Sequence, residues 1–394
     1  MASHRLQWSY NVNTDVTPFV VDIPQTELDD LRQRLQQTRW SDKEPCTGWA
    51  QGMPLEYTRE LADYWAHTYD WRRFENKLNR WSQFMTKIDG IDIHFIHQRS
   101  PHEDALPLII SHGWPGSIVE FHKVIDALTD PTQHGGSAES AFHVVAPCLP
   151  GYGFSGKPTE TGTSVEKIGR MWGQLMSRLG YARYVAQGGD WGSIITQSMG
   201  ITETDHCAAI HVNMPIVAPD NDTMSSLSAA EQKALEDMSA YIETGSGYSK
   251  QQSTYPQTLG YGLADSPVAQ MAWVVEKFYM WTDCENNGTR HPENVLNRDE
   301  LLDNVMMYWL NNAGASSARL YWESFNNASM EPIHMPVGCS IFPKEIFRCS
   351  RRWAEKRFTQ LIHWNELDKG GHFAALEQPE AFVAEVRACF QTLR

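Results

Sequence analysis

Residues 187–193, Gln187-Gly-Gly-Asp190-Trp-Gly-Ser193, set a carboxylate among small neighbours where an apolar strand, Tyr184-Val185-Ala186, gives way to a helical pattern from Ile194-Ile195. A chain that turns this sharply from strand to helix cannot carry bulk beside the tip, and Gly188 and Gly192 flank Asp190 at the spacing of a nucleophile elbow. The tip residue also narrows the chemistry. An aspartate is ionised at neutral pH and attacks without help from a base. At a saturated carbon it leaves an ester whose carbonyl water can attack later, whereas serine would leave an ether with no ready exit.

The rest of the chain bounds the fold and the partners. Its 394 residues, 41% hydrophobic and 11% aromatic, are enough for one α/β core with substantial additional elements. A net charge of -15 argues against nucleic acid or an anionic membrane as partner, since both recruit clusters of Lys and Arg. Cys46, Cys148, Cys207, Cys284, Cys339, Cys349 and Cys389 are scattered and lack C-x-x-C spacing, so neither a disulfide framework nor a metal site is expected, and a cytoplasmic location is. No apolar run of leader or membrane-spanning length occurs, at Met1–Trp8 or later, so no membrane anchor is expected. The sequons at Asn221, Asn287 and Asn327 are read as chance.

Changes of hydrophobic period divide the chain into four regions: 1–97, 98–216, 217–330 and 331–394. In the first, Leu28, Leu31 and Leu35 share one face of a helix after Pro24, and Tyr57, Leu61 and Trp65 share one face of a second. Asp89-Gly90 then joins two alternating runs, the second being Ile91–Ile96, as a hairpin expected at a sheet edge. The second region alternates strands with helices, as a parallel sheet does: Leu108–Ser111, Phe142–Ala146, Tyr184–Ala186 and Ile210–Asn213 are its strands. The third is helical, polar and rich in Met, Trp and Tyr, and reads as an inserted cap. The strand pattern resumes at Val337–Phe342 and Leu361–Trp364, and a final helix presents Phe382, Val386, Phe390 and Leu393.

Candidate catalytic groups follow the strand ends. His372, in Gly370-Gly-His-Phe373 after the last strand, completes the order nucleophile, acid, histidine and would deprotonate the water that attacks an Asp190 ester. An imidazole that gains charge needs a carboxylate to orient it; Glu345, in Phe342-Pro-Lys-Glu345 after the penultimate strand, fits, and Asp368 is the alternative. His112-Gly-Trp-Pro115 reads as an oxyanion loop whose Trp114 N–H would act with the Trp191 N–H. The cap must protonate a departing oxygen, a task suited to tyrosine, whose pKa near ~10 keeps it protonated at neutral pH. From the residues alone, Tyr241, Tyr248, Tyr255, Tyr261, Tyr279, Tyr308 and Tyr321 all remain open.

Taken together, Gly188-Gly-Asp-Trp-Gly192, His112-Gly-Trp-Pro115, Gly151-Tyr-Gly-Phe-Ser155 and Gly370-Gly-His-Phe373 resemble the epoxide hydrolases of the α/β-hydrolase fold, specifically the microsomal-type branch that includes soluble fungal enzymes. The resemblance spans nearly the whole chain. Pro18–Pro24, Leu31–Leu35, Thr38–Trp40 and Tyr69–Arg72 are similar to that branch's N-terminal extension, which wraps core and cap and can support a homodimer.

The resemblance implies an α/β-hydrolase fold with an inserted helical cap and an N-terminal extension, and no cofactor or metal. It points to Tyr248, in Gly247–Thr254, and Tyr321, in Ser316–Tyr321, as the proton donors, and favours Glu345 over Asp368. The expected partners are a small hydrophobic epoxide and water, with aryl or bulky terminal epoxides suggested by Tyr279, Met280, Trp281, Tyr308 and Trp309. A haloalkane dehalogenase is the nearest alternative, because it also uses an aspartate elbow followed by tryptophan, but a halide needs N–H donors and no proton. A non-catalytic hydrolase-fold protein that binds a small ligand is the third.

Overall fold

The computed structural model of the chain describes residues 15–325 and 328–394; Met1–Trp8 and the sequon residue Asn327 lie outside them. Nine strands form the main sheet: β1 (Val16–Phe19), β2 (Gln83–Ile88), β3 (Ile91–Gln98), β4 (Leu106–Ser111), β5 (Phe142–Pro147), β6 (Tyr184–Gly188), β7 (Cys207–Val212), β8 (Ile333–Ile341) and β9 (Phe358–Glu366). Their spatial order is β1-β2-β3-β5-β4-β6-β7-β8-β9. The first three strands and the β3–β5 pair are antiparallel; every pair from β5 to β9 is parallel. This is the α/β-hydrolase fold. Strands β5 and β6 are buried at every position, as strands covered by helices on both faces must be.

The hairpin differs from expectation in one respect. Asp89 and Gly90 do turn the chain, both at positive φ, but β2 and β3 do not form the edge. Strand β3 pairs with β5, while β1 covers the other side of β2, from Val16 opposite Thr86 to Phe19 opposite Gln83. An open β2 would present unpaired backbone groups, and β1 satisfies them. Being four residues long and containing Pro18, β1 carries little strand signal of its own.

Helices Gln25–Gln36 and Leu55–His67 bury the expected leucines and aromatics, and a third, Trp71–Leu78, begins where the Asp70 carboxylate accepts the Arg72 N–H at 3.0 Å. The Tyr69 hydroxyl and Arg73 guanidinium both donate to Asp303 Oδ1, at 2.7 and 2.6 Å, in helix Arg298–Trp309. These bonds tie the N-terminal helices to the helical segment that runs from Asn221 to Ser324 between β7 and β8. The final helix, Pro379–Phe390, buries Phe382, Val386 and Phe390, and Leu393 follows in a short 3-10 turn.

Among the described residues, no helix is long and apolar enough to cross a membrane.

Candidate active site

The elbow is tighter than its sequence implies. Ser193 N–H donates to Gly189 O at 3.0 Å, so the helix begins at Asp190 itself, four residues before the expected start at Ile194. Asp190 sits at φ 50°, a left-handed conformation that a side chain seldom adopts outside a constrained turn. Crowding explains the glycines. A Cβ on Gly192 would stand 2.0 Å from Ser111 O, and one on Gly113 would stand 2.1 Å from Asp190 Oδ1.

That close approach lets the Trp114 N–H reach Asp190 Oδ1 at 2.8 Å. The loop carrying it is anchored by His112, whose Nδ1–H donates to Gly113 O at 3.0 Å while Nε2 accepts the Leu149 N–H at 3.3 Å. These two bonds require the neutral tautomer, and burial pushes the His112 pKa down to about 4, opposed by its bond to Gly113 and by Asp190. His112 is thus a strut, and Trp114 supplies the donor.

On the other carboxylate oxygen, His372 Nε2 lies 3.0 Å from Asp190 Oδ2, and His372 Nδ1 lies 2.6 Å from Glu345 Oε1. The loops carrying His372 and Glu345 are zipped together by the Lys344 N–H, which donates to Gly370 O at 3.1 Å. His372 is further fixed by its own N–H, which donates to Trp281 O at 2.9 Å. Asp368, the alternative acid, is exposed and does not take this place. Burial alone would lower the His372 pKa, but the charges of Glu345 and Asp190 and their hydrogen bonds outweigh it and hold the pKa well above 6.5.

The aromatic roof selects among the seven open tyrosines. Tyr255 and Tyr261 are exposed, Tyr279 stacks on Trp49, and the Tyr308 hydroxyl is used by Gly116 O at 2.7 Å. Tyr248 stacks on the Trp114 indole with centroids 4.9 Å apart, and Tyr321 meets Trp114 and Trp191 edge to face at 5.8 and 4.8 Å. Both are buried, and burial, reinforced by neighbouring charge, raises their pKa values well above 10. Tyr241 joins them: its hydroxyl is 2.8 Å from that of Tyr248.

Glu120 had no local sequence signal as a site residue, and Trp281, expected only as part of the aromatic cap, proves to touch His372. Glu120, in the 3-10 turn Ile118–Phe121, has its pKa raised to about 8 by burial, with His372 opposing and Asp190 adding to the rise. Trp281 packs on His372 at 5.1 Å and on Tyr248 at 5.2 Å. A cavity of about 440 Å³ is lined by Tyr241, Met280, Trp281, Pro343, Glu345 and Arg348, and so borders the acid behind His372. A larger groove of about 660 Å³ involves Tyr255, Gln257, Arg319 and Trp322 and none of the groups around Asp190. The chemistry lies with the buried cluster.

Sheet, elbow and histidine loop define a hydrolase of the α/β-hydrolase class. The family described as Epoxide hydrolase N terminus matches residues 16–121, and the alpha/beta hydrolase fold family matches residues 107–251. A Stigmatella aurantiaca (strain DW4/3-1) protein assigned as an epoxide hydrolase is 51% identical over 96% of this chain and 86% of its own. Epoxide hydrolase 1 of Sus scrofa is 35% identical over 94% and 88%. The structure of Aspergillus niger epoxide hydrolase superposes with a TM-score of 0.85, at 32% identity over 97% of this chain and 98% of that one. The chain belongs to the epoxide hydrolase family.

Proposed function

We propose that this enzyme opens aryl or bulky terminal epoxides to vicinal diols in two covalent steps at Asp190. The observation that carries the reading is the division of the Asp190 carboxylate: Oδ1 accepts the Trp114 N–H at 2.8 Å while Oδ2 faces His372 at 3.0 Å. Oδ2 attacks an epoxide carbon from the side opposite the C–O bond that breaks. Tyr248 and Tyr321 hold the ring oxygen, and one of them gives it a proton, leaving a hydroxyalkyl ester and a tyrosinate. The doubly protonated, singly charged His372 returns a proton to that tyrosinate and is left neutral.

Ester formation removes the Asp190 charge, one of the two that raise His372, so the imidazole becomes a base. It takes a proton from water, whose oxygen attacks the Asp190 carbonyl carbon. The Trp114 N–H, already on Oδ1, stabilises the oxyanion with the Trp191 N–H. Collapse breaks the bond to the substrate oxygen, which leaves as part of the diol with the proton of the added hydroxyl, so that the Asp190 carboxylate and the singly charged imidazolium of His372 are regenerated. Glu345 orients His372 throughout and stabilises the cation.

In the same reading, residues 217–330 cap the core formed by 98–216 and 331–394, and residues 1–97 brace both. Free cysteines throughout the described residues support a cytoplasmic location. A homodimer through the extension completes the proposal and is checked by light scattering.

The experiment is a single turnover of excess enzyme with styrene oxide in oxygen-18 water. Unlabelled first-turnover diol with heavy oxygen in the Asp190 peptide is expected; labelled diol with an unlabelled peptide would mean direct attack by water.

A further inference from the structure

Helix Pro267–Trp281 carries Trp273, Lys277 and Trp281 at i, i+4 and i+8, which puts an ammonium between two indoles on one face. The centre of that face is closed to solvent. Lys277 is 3% exposed. Its Nζ stands 4.7 Å from the centroid of the Tyr248 ring, 5.8 Å from that of Trp273 and 6.0 Å from that of Trp281. Glu276 Oε1, at 3.1 Å, is its acidic partner, on a side chain that is 25% exposed. Burying an ammonium against aromatic rings carries a desolvation cost that an apolar side chain there would not, so the position calls for a reason in the site.

We propose that Lys277 is a positioning residue that acts through Tyr248, its ammonium favouring the ring once the hydroxyl has begun to hand its proton to the epoxide oxygen. The inference rests on the reading of Tyr248 as a proton donor. A neutral phenol offers a cation only the quadrupole of its ring, worth little more in one substrate state than another. As the proton leaves, negative charge spreads into the same ring, and attraction by the ammonium grows because both side chains are buried and their interaction is little screened. An interaction stronger in the transition state than in the ground state accelerates the step, and its partner is already in place. The Trp114 indole, stacked on Tyr248 at 4.9 Å, keeps the ring aligned for this contact.

The test separates alkylation from ester hydrolysis by rapid quench under single-turnover conditions, with the ester on Asp190 quantified by mass spectrometry. Lys277→Met is expected to slow alkylation about tenfold, on the scale of a desolvated cation–π contact, and to leave ester hydrolysis unchanged. Lys277→Arg, which keeps the charge, is expected to recover most of the rate. In a Tyr248→Phe background, which has no proton to give from that ring, Lys277→Met is expected to add no further loss. Unchanged alkylation in Lys277→Met, or the same loss with and without Tyr248, overturns the proposal. So does failure of Lys277→Arg to recover a folded, active enzyme, because that outcome makes the side chain a packing element. If Tyr248→Phe alone alkylates at the parent rate, it is the donor reading beneath the proposal that falls.

Discussion

His372 Nε2 contacts Asp190 Oδ2 at 3.0 Å, so the base that would activate water rests against the carboxylate that water would later attack. The contact is a charge pair in the resting enzyme and vanishes as a pair once Asp190 is esterified. One hydrogen bond therefore couples the two half-reactions: the first alters the proton affinity that the second needs.

Replacing His372 by glutamine removes the base but leaves the nucleophile and the tyrosines. Turnover is expected to fall roughly 10²–10⁴-fold, the usual worth of a general base, while the Asp190 ester accumulates. Intact-mass measurement after adding styrene oxide checks this, and a spectrum without an adduct would contradict the assigned roles. Asp190→Ala is expected to lose both turnover and adduct.

The tyrosines are expected to share one task. Tyr248→Phe and Tyr321→Phe should each slow alkylation, and the double variant should lose far more, because either hydroxyl alone still donates. Rapid-quench rates in the three variants decide it. Wild-type alkylation in both single variants would remove these hydroxyls from the reaction.

The protonation of His372 follows the acids beside it. Burial lowers its pKa, yet Glu345 and Asp190 together hold it well above 6.5. A raised folded-state pKa means that this group's contribution to stability is complete below its unfolded value, about 6.5. The contribution is lost as pH rises through the folded value. Glu345→Gln removes the first of the two raising charges, so the imidazole should lose its proton at lower pH than in the parent. Its ring signals in an NMR titration report this directly; an unshifted titration would mean that Glu345 does not set the charge.

The elbow tolerates no added carbon. A methyl at Gly192 meets Ser111 O at 2.0 Å, a contact with backbone that cannot rotate away. Gly192→Ala is expected to cost about 1–3 kcal/mol or more, as overpacking of a tight core does, and to lower the melting temperature in calorimetry. An unchanged melting temperature would show that β4 and the elbow can separate without penalty.

Legibility in the sequence tracked how local each feature is. The apolar runs of β4, β5 and β6 and the periodic faces of Leu28, Leu31 and Leu35 or Phe382, Val386 and Phe390 were readable because burial imposes a period on the chain itself. The elbow helix starts four residues before its apolar pattern does, because Gly189 to Ser193 is polar and glycine-rich and only the Ser193 to Gly189 hydrogen bond marks the first turn. Strand β1 leaves no such signal, because its pairing partner lies near residue 85, far along the chain.

The Asp190 elbow, the strand-and-helix alternation around it and the position of His372 just after the last strand are legible in the residues alone, since each depends on neighbours within a few positions. Which acid meets His372, which tyrosines hang over Asp190, and that Lys277 and Glu120 stand beside them, follow from how distant segments pack together. Glu345 and Asp368 both precede His372 on loops, and only the zipping of Lys344 to Gly370 brings one within 2.6 Å. Fourteen tyrosines look alike in a chain whose cap is mostly helical and rich in aromatic residues. What separates Tyr248 and Tyr321 is the packing of three cap helices onto Trp114, and contact between distant segments leaves no period for the sequence to display.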